Sequence, residues 1–141
     1  MTPATETTSD TSPKLGSAIS FDYQPRTRVV FGLGSFARLG EIAAEFGQGP
    51  VLLVTDPGLR QAGHETAAIS SLKAQGLTVA VFDEVAPNPT TDDVDRCVAF
   101  AQGQNIQLIV GLGGGSSMDC AKGANFLLTN GGRMHDYKGI G

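Results

Sequence analysis

At 141 residues, with 40% apolar and 17% charged positions, the chain has the composition of one globular domain and is too short for two ordinary ones. A formal net charge of −4, with Arg26 and Arg28 as the only close basic pair, argues against a nucleic-acid partner. No apolar run approaches the ~20 residues that span a bilayer, so no membrane role is expected.

Residues 1–18 carry no apolar stretch of a secretory signal, and Glu6 and Asp10 without arginine are unlike a mitochondrial transit peptide. A disordered polar tail is expected there, followed by one ordered domain over 19–141. Residues 27–31 (TRVVF) alternate as a strand with Val29 and Phe31 on one face. Ser35 is placed to cap a helix bearing Phe36, Leu39, Ile42, Ala43 and Phe46, ended by Gly47. Residues 51–55 (VLLVT) form a continuous apolar strand ending at Asp56. Pro57 then opens a helix running to about Gln75, with Gly76 at its end. A strand at 77–82 follows, and the prolines of 83–90 (DEVAPNPT) force an extended loop. Thr90 and Asp93 stand at capping-box spacing before a helix bearing Val94, Cys97, Val98 and Ala101. The last clear strand, 106–110 (IQLIV), leads into Gly113, Gly114 and Gly115 and a helix of Met118, Ala121, Ala124, Asn125 and Leu128. Cys97 and Cys120 lack CxxC spacing and a histidine pair. They read as small buried thiols, which suits the reducing cytoplasm.

Strands alternating with helices imply an α/β fold: a Rossmann-like parallel sheet with right-handed crossovers and helices on both faces. Unbroken apolar strands at 51–55 and 106–110 imply burial on both faces. Ligands on such sheets sit beyond the carboxyl ends of the strands. Asp56, the Pro87-Asn88-Pro89 loop and residues 113–116 all fall there.

Two glycine motifs compete for an anion. Gly32-Leu33-Gly34-Ser35-Phe36-Ala37 fits G-x-G-x-x-A, with Asp56 about twenty residues on, which is formally the dinucleotide fingerprint. Gly113 to Ser116 fits neither that pattern nor a Walker loop, since Lys122 is followed by Gly123. The segment before Gly32 is short and alternating, however, whereas the one before Gly113 is apolar throughout. Three glycines also expose more backbone donors, backed by a helix dipole. The pyrophosphate is therefore assigned to 113–116, and Gly32 and Gly34 to a tight strand–helix turn.

At GLGGGSSMDCAKG the chain resembles the iron-type, group III alcohol dehydrogenases. The likeness runs through residues 31–35 (FGLGS), 51–56 (VLLVTD), 82–90 (FDEVAPNPT), 109–123 and 135–141 (HDYKGIG). It implies an N-terminal dinucleotide-binding domain in which Gly113, Gly114, Gly115 and Ser116 hold the pyrophosphate of NAD. It places Asp56 by the adenosine ribose, favouring NAD over NADP, because a carboxylate accepts bonds from a 2′-hydroxyl and repels a 2′-phosphate. Asn88 lies near the cofactor by the same likeness, and Asp119 at its pyrophosphate–nicotinamide side. In the family a helical domain follows, supplying one Asp and three His ligands to a divalent iron or zinc. The chain has only His64 and His135, which lie on the wrong side of the cofactor motifs in sequence for that role. The chain is thus expected to be an N-terminal fragment, about a third of a typical member, with no catalytic or metal-ligating residue of its own and no turnover alone.

Several residues keep a second, local reading. Asp56 could serve as the strand-end turn residue before Pro57. Ser116 could cap its helix while donating to phosphate, with Asp119 as the structural acid three residues on. Asn88 could brace its loop through an Asx turn, Lys122 could be a solvated helix lysine, and both histidines read as surface residues. For the intact protein the expected partners are a small alcohol or the matching aldehyde or ketone and a further copy of itself, while a domain cut at Gly141 is expected to expose apolar surface and associate. Rival readings are a non-catalytic NAD-binding fragment or module and a dehydroquinate-synthase-like lyase.

Overall fold

The computed structural model describes residues 26–139; the expected tail at 1–18 lies outside the described residues. The chain divides into two units between Val30 and Phe31. Residues 26–30 form neither helix nor strand, and the strand expected at 27–31 is absent. Alternation becomes a strand only where a neighbour takes up the backbone N–H and C=O groups, which the pattern itself does not supply.

From Phe31 onward three strands form a parallel sheet in the order β2-β1-β3, with β1 Val51–Val54, β2 Val79–Phe82 and β3 Leu108–Gly111. In register, Val51 stands beside both Val79 and Leu108, and Val54 beside both Phe82 and Gly111, so the carboxyl ends align. All four side chains of β1 are fully buried, and strand alternation divides them between two cores. Leu52 and Val54 pack with Val94, Cys97, Cys120, Ala124 and Leu127, contributed by α4 (Thr91–Ala101) and α5 (Gly115–Asn130). Val51 packs with Ala43 of α1 (Leu39–Ala44), Leu72 of α3 (His64–Ala74) and Leu77. Helices therefore cover both faces, as expected. Burying one such leucine contributes about 2 kcal/mol, so the strand that carries the site is also the centre of the fold.

β3 departs from the expectation of burial on both faces: Leu108, Ile109 and Val110 are only half-buried. It is an edge strand that pairs only with β1 among the described residues. Both cysteines are fully buried and unbridged. A hydrogen bond with the Cys120 thiol, together with burial, pushes the Cys97 thiol up.

Three helix boundaries differ from those read in the sequence. Ser35 caps nothing; Gly34 precedes a 3-10 turn at Ser35–Arg38, and the α-helix starts at Leu39. The helix expected from Pro57 to Gln75 is broken into α2 (Pro57–Gln61) and α3 by Gly63, whose φ of 82° no helix accommodates. Ser116 is not the cap of α5; Gly114 is, and Ser116 lies inside the first turn.

The capping box of α4 forms as expected. Asp93 Oδ2 accepts from the Thr90 amide at 2.7 Å and the Thr90 hydroxyl at 2.9 Å, and its other oxygen accepts from Arg96. The Thr90 amide first, then its hydroxyl and Arg96, hold the buried Asp93 carboxyl below its ordinary value of 3.8. A depressed carboxylate adds stability in full above that ordinary value, and the contribution disappears as pH falls through the depressed one. Asp93→Asn should therefore unfold at a lower temperature than the wild type at pH 7, with the gap narrowing on acidification below pH 3.8. A gap that stays constant in scans down through that range would show that the charge is irrelevant.

Candidate functional site

The strand order makes the chain leave β1 for β2 on one side and then cross to β3 on the other. Such a reversal opens a crevice at the carboxyl ends of the strands that flank it, here β1 and β3. Hydrogen bonds hold the loops around it in place. Leu112 N donates to Val54 O at 2.8 Å, and the buried Thr55 hydroxyl donates to Leu112 O at 2.9 Å. Thr55 O in turn accepts from Val85 N at 3.3 Å. Thr55 thus stitches the loops after β2 and β3 to the end of β1.

Asp56 caps α2: its Oδ1 accepts from Gly58 N at 2.9 Å and Leu59 N at 3.1 Å. Its Oδ2 accepts from the hydroxyl of Ser117, in the first turn of α5, at 3.2 Å. The local reading of Asp56 is therefore realised, and its carboxylate also reaches the glycine loop. A Cβ on Gly113 would stand 3.0 Å from Asp56 Oδ2 and 2.6 Å from Ser117 Oγ, at a φ of 142°. Gly113 is glycine because the bend is tight and packed.

Gly114 and Gly115 are the opposite case. A Cβ on either would meet nothing within 4 Å. They border an open cleft of about 490 Å³ whose other walls include Asp56, Gly58, Val85, Pro87 and Ser116. A neighbouring hollow of about 480 Å³ shares Gly115 and Ser116 and adds Asn88, Pro89 and Asp119. All seven residues singled out in the sequence thus border these two adjoining spaces or, for Gly113, the bend beneath them. First-turn N–H groups of a helix have no partner within it, and α5 presents them here, with the positive end of its dipole. An anion is the ligand such an arrangement accepts.

Ser116 Oγ accepts from Asn88 N at 3.2 Å, so the loop after β2 is tied to α5. Asn88 takes a φ of 55°, a conformation asparagine tolerates better than most residues. Asp119 does not close a capping box with Ser116. It is largely exposed and faces Lys122 Nζ at 3.5 Å, a solvated pair one helical turn apart. His64 is exposed, with Phe36 edge-on at 6.4 Å, and His135 is exposed as well. Among the described residues no group of three or more His, Cys, Asp or Glu side chains could hold a metal ion. No helix among them is long and apolar enough to cross a membrane.

Gly32 and Gly34 follow no strand of the sheet. The competing fingerprint thus lacks the context its chemistry requires, while β3 feeds straight into Gly113 and α5. Sequence reasoning missed two residues, Thr55 and Ser117. A lone threonine closing an apolar strand was a signal for the first; Ser117 had none, because its partner lies 61 positions away.

Fold and crevice together define a Rossmann-like α/β domain with a glycine turn at the carboxyl end of β3. Residues 25–141 match the iron-containing alcohol dehydrogenases, and the chain belongs to that family. It is 38% identical over 111 residues to alcohol dehydrogenase 4 of Schizosaccharomyces pombe, a match covering 79% of this chain and 26% of that protein. Among solved structures it resembles NADH-dependent butanol dehydrogenase A of Thermotoga maritima, with a TM-score of 0.76 and 29% identity over 83% of this chain and 30% of that one. Sulfoacetaldehyde reductase of Bifidobacterium kashiwanohense in complex with NAD+ superposes with a TM-score of 0.75 at 27% identity, covering 87% and 32%. The chain spans about a quarter to a third of the length of these relatives.

Proposed function

We propose that the cleft holds NAD, and that the chain is the cofactor-binding part of a dehydrogenase moving hydride between a small alcohol and its aldehyde or ketone. One observation carries this reading: the open amino end of α5 at Gly114 and Gly115 borders the same cleft as Asp56. The backbone N–H groups of Gly114, Gly115 and Ser116 receive the pyrophosphate, for which bare backbone leaves room. Asp56 stands at the adenosine ribose, and Asn88 and Asp119 border the space toward the nicotinamide. When bound, NAD supplies the hydride acceptor. The described residues do not fit a metal site, so no step is assigned to one in this chain. The butanol dehydrogenase and the NAD+-bound reductase support the cofactor by likeness. The two unpaired buried thiols suit a reducing compartment, the cytoplasm.

Calorimetric titration of the chain with NAD and NADP tests the reading. NAD should bind, and more tightly than NADP. Asp56→Ala should weaken NAD about tenfold and erase the preference, the loss expected of one charge-assisted hydrogen bond. Heat from neither cofactor would sink the assignment of the cleft, and equal affinities would remove Asp56 from the ribose.

A further inference from the structure

We infer that Ser117 is a positioning residue for cofactor choice: its buried hydroxyl holds the Asp56 carboxylate in the orientation that separates a 2′-hydroxyl from a 2′-phosphate. This rests on the reading of the cleft as an NAD site with Asp56 at the ribose. Nothing in the glycine motif itself requires a serine here, since the motif's phosphate donors precede it.

Ser117 is fully buried, and a buried hydroxyl must spend its proton on a partner. That partner is Asp56 Oδ2 at 3.2 Å. The cap of α2 already holds Oδ1 through two N–H groups. Each oxygen of the carboxylate is thereby tied to a different element, α2 on one side and α5 on the other. Gly113 makes the closure feasible, because a Cβ there would stand 2.6 Å from Ser117 Oγ.

Acceptor capacity sharpens the consequence. An ionised carboxylate offers about four lone-pair positions. Gly58 N, Leu59 N and Ser117 Oγ occupy three. One remains on Oδ2, which suffices for a single ribose hydroxyl and offers a 2′-phosphate only repulsion. Without Ser117 the carboxylate turns about its tether to α2, and its charge is no longer held at the place where the two cofactors differ.

The test is the ratio of NADP to NAD dissociation constants in the wild-type chain, Ser117→Ala, Asp56→Ala and the double variant, with thermal melting alongside. Ser117→Ala should lower the ratio about fivefold, and should change it no further in the Asp56→Ala background. Ser117→Cys keeps the volume with a much weaker donor, and should lower the ratio similarly if the alanine variant folds poorly. A purely structural serine would move both affinities and the melting temperature together and leave the ratio intact, which overturns the proposal. A ratio that falls in Asp56→Ala but survives in both Ser117 variants overturns the positioning role alone. A ratio indifferent to Asp56 overturns the ribose reading beneath it.

Discussion

Gly40→Ala should cost the fold about 3 kcal/mol, at the upper end of what overpacking usually does. α1 crosses α3 with its backbone at Gly40, where an added Cβ would lie 2.0 Å from the carbonyl oxygen of Ser71 and 2.6 Å from its carbonyl carbon. These are backbone atoms of an eleven-residue helix, so no side-chain rotation relieves the overlap. The helices must part by roughly 1.5 Å to reach ordinary contact near 3.5 Å. Parting them also strands a hydrogen-bond relay, in which Gly40 N donates to Ser71 Oγ at 2.9 Å and Ser71 Oγ to Ala37 O at 3.3 Å. Alanine's better helix propensity, worth about 1 kcal/mol, does not offset that. Urea unfolding should show a much lower midpoint with an unchanged slope. A midpoint equal to the wild type's would mean that α1 and α3 are not in close contact.

Gly40 also shows where sequence reading stops. Its neighbours Leu39, Ile42 and Ala43 announce a helix by spacing alone, but the glycine's reason is Ser71, thirty-one positions later. The central strand was legible because four consecutive buried residues leave a run that water-facing strands cannot carry. Pairing is a property of the partner, so β3 reads in sequence like β1 and yet, paired only with β1 among the described residues, is less buried. The break at Gly63 was hidden in a polar stretch with no apolar rhythm to interrupt. The site followed the same division. Glycines after an apolar strand mark the turn from β3 into α5 through local chemistry. Ser116 was mistaken for the cap because it is the first side chain able to cap, whereas Gly114 reaches the cap position with backbone alone. Ser117 beside it has the same side chain and a different role, decided by burial.

Gly114→Val should weaken NAD binding about a hundredfold while leaving the fold nearly untouched. Gly113 cannot supply so clean a test, because a side chain there collides with Ser117 and Asp56. At Gly114 an added Cβ meets nothing within 4 Å, and a φ of −83° with ψ of −160° is extended backbone that needs no glycine. The cost to α5 is confined to a poorer cap residue, about 1 kcal/mol or less. The isopropyl group instead fills the space bordered by Asp56, Gly115 and Ser116. A diphosphate held off by that volume forfeits hydrogen bonds from first-turn N–H groups, each charge-assisted and worth roughly 1.5–3 kcal/mol. Losing one or two of them is the ~2.7 kcal/mol that a hundredfold represents. The decisive comparison is between melting and binding in one preparation: a melting temperature within a few degrees of the wild type, with NAD affinity reduced by two orders of magnitude. Should the valine variant bind NAD as tightly as the parent, the diphosphate does not rest on the amino end of α5, and the anion site must lie elsewhere on the sheet.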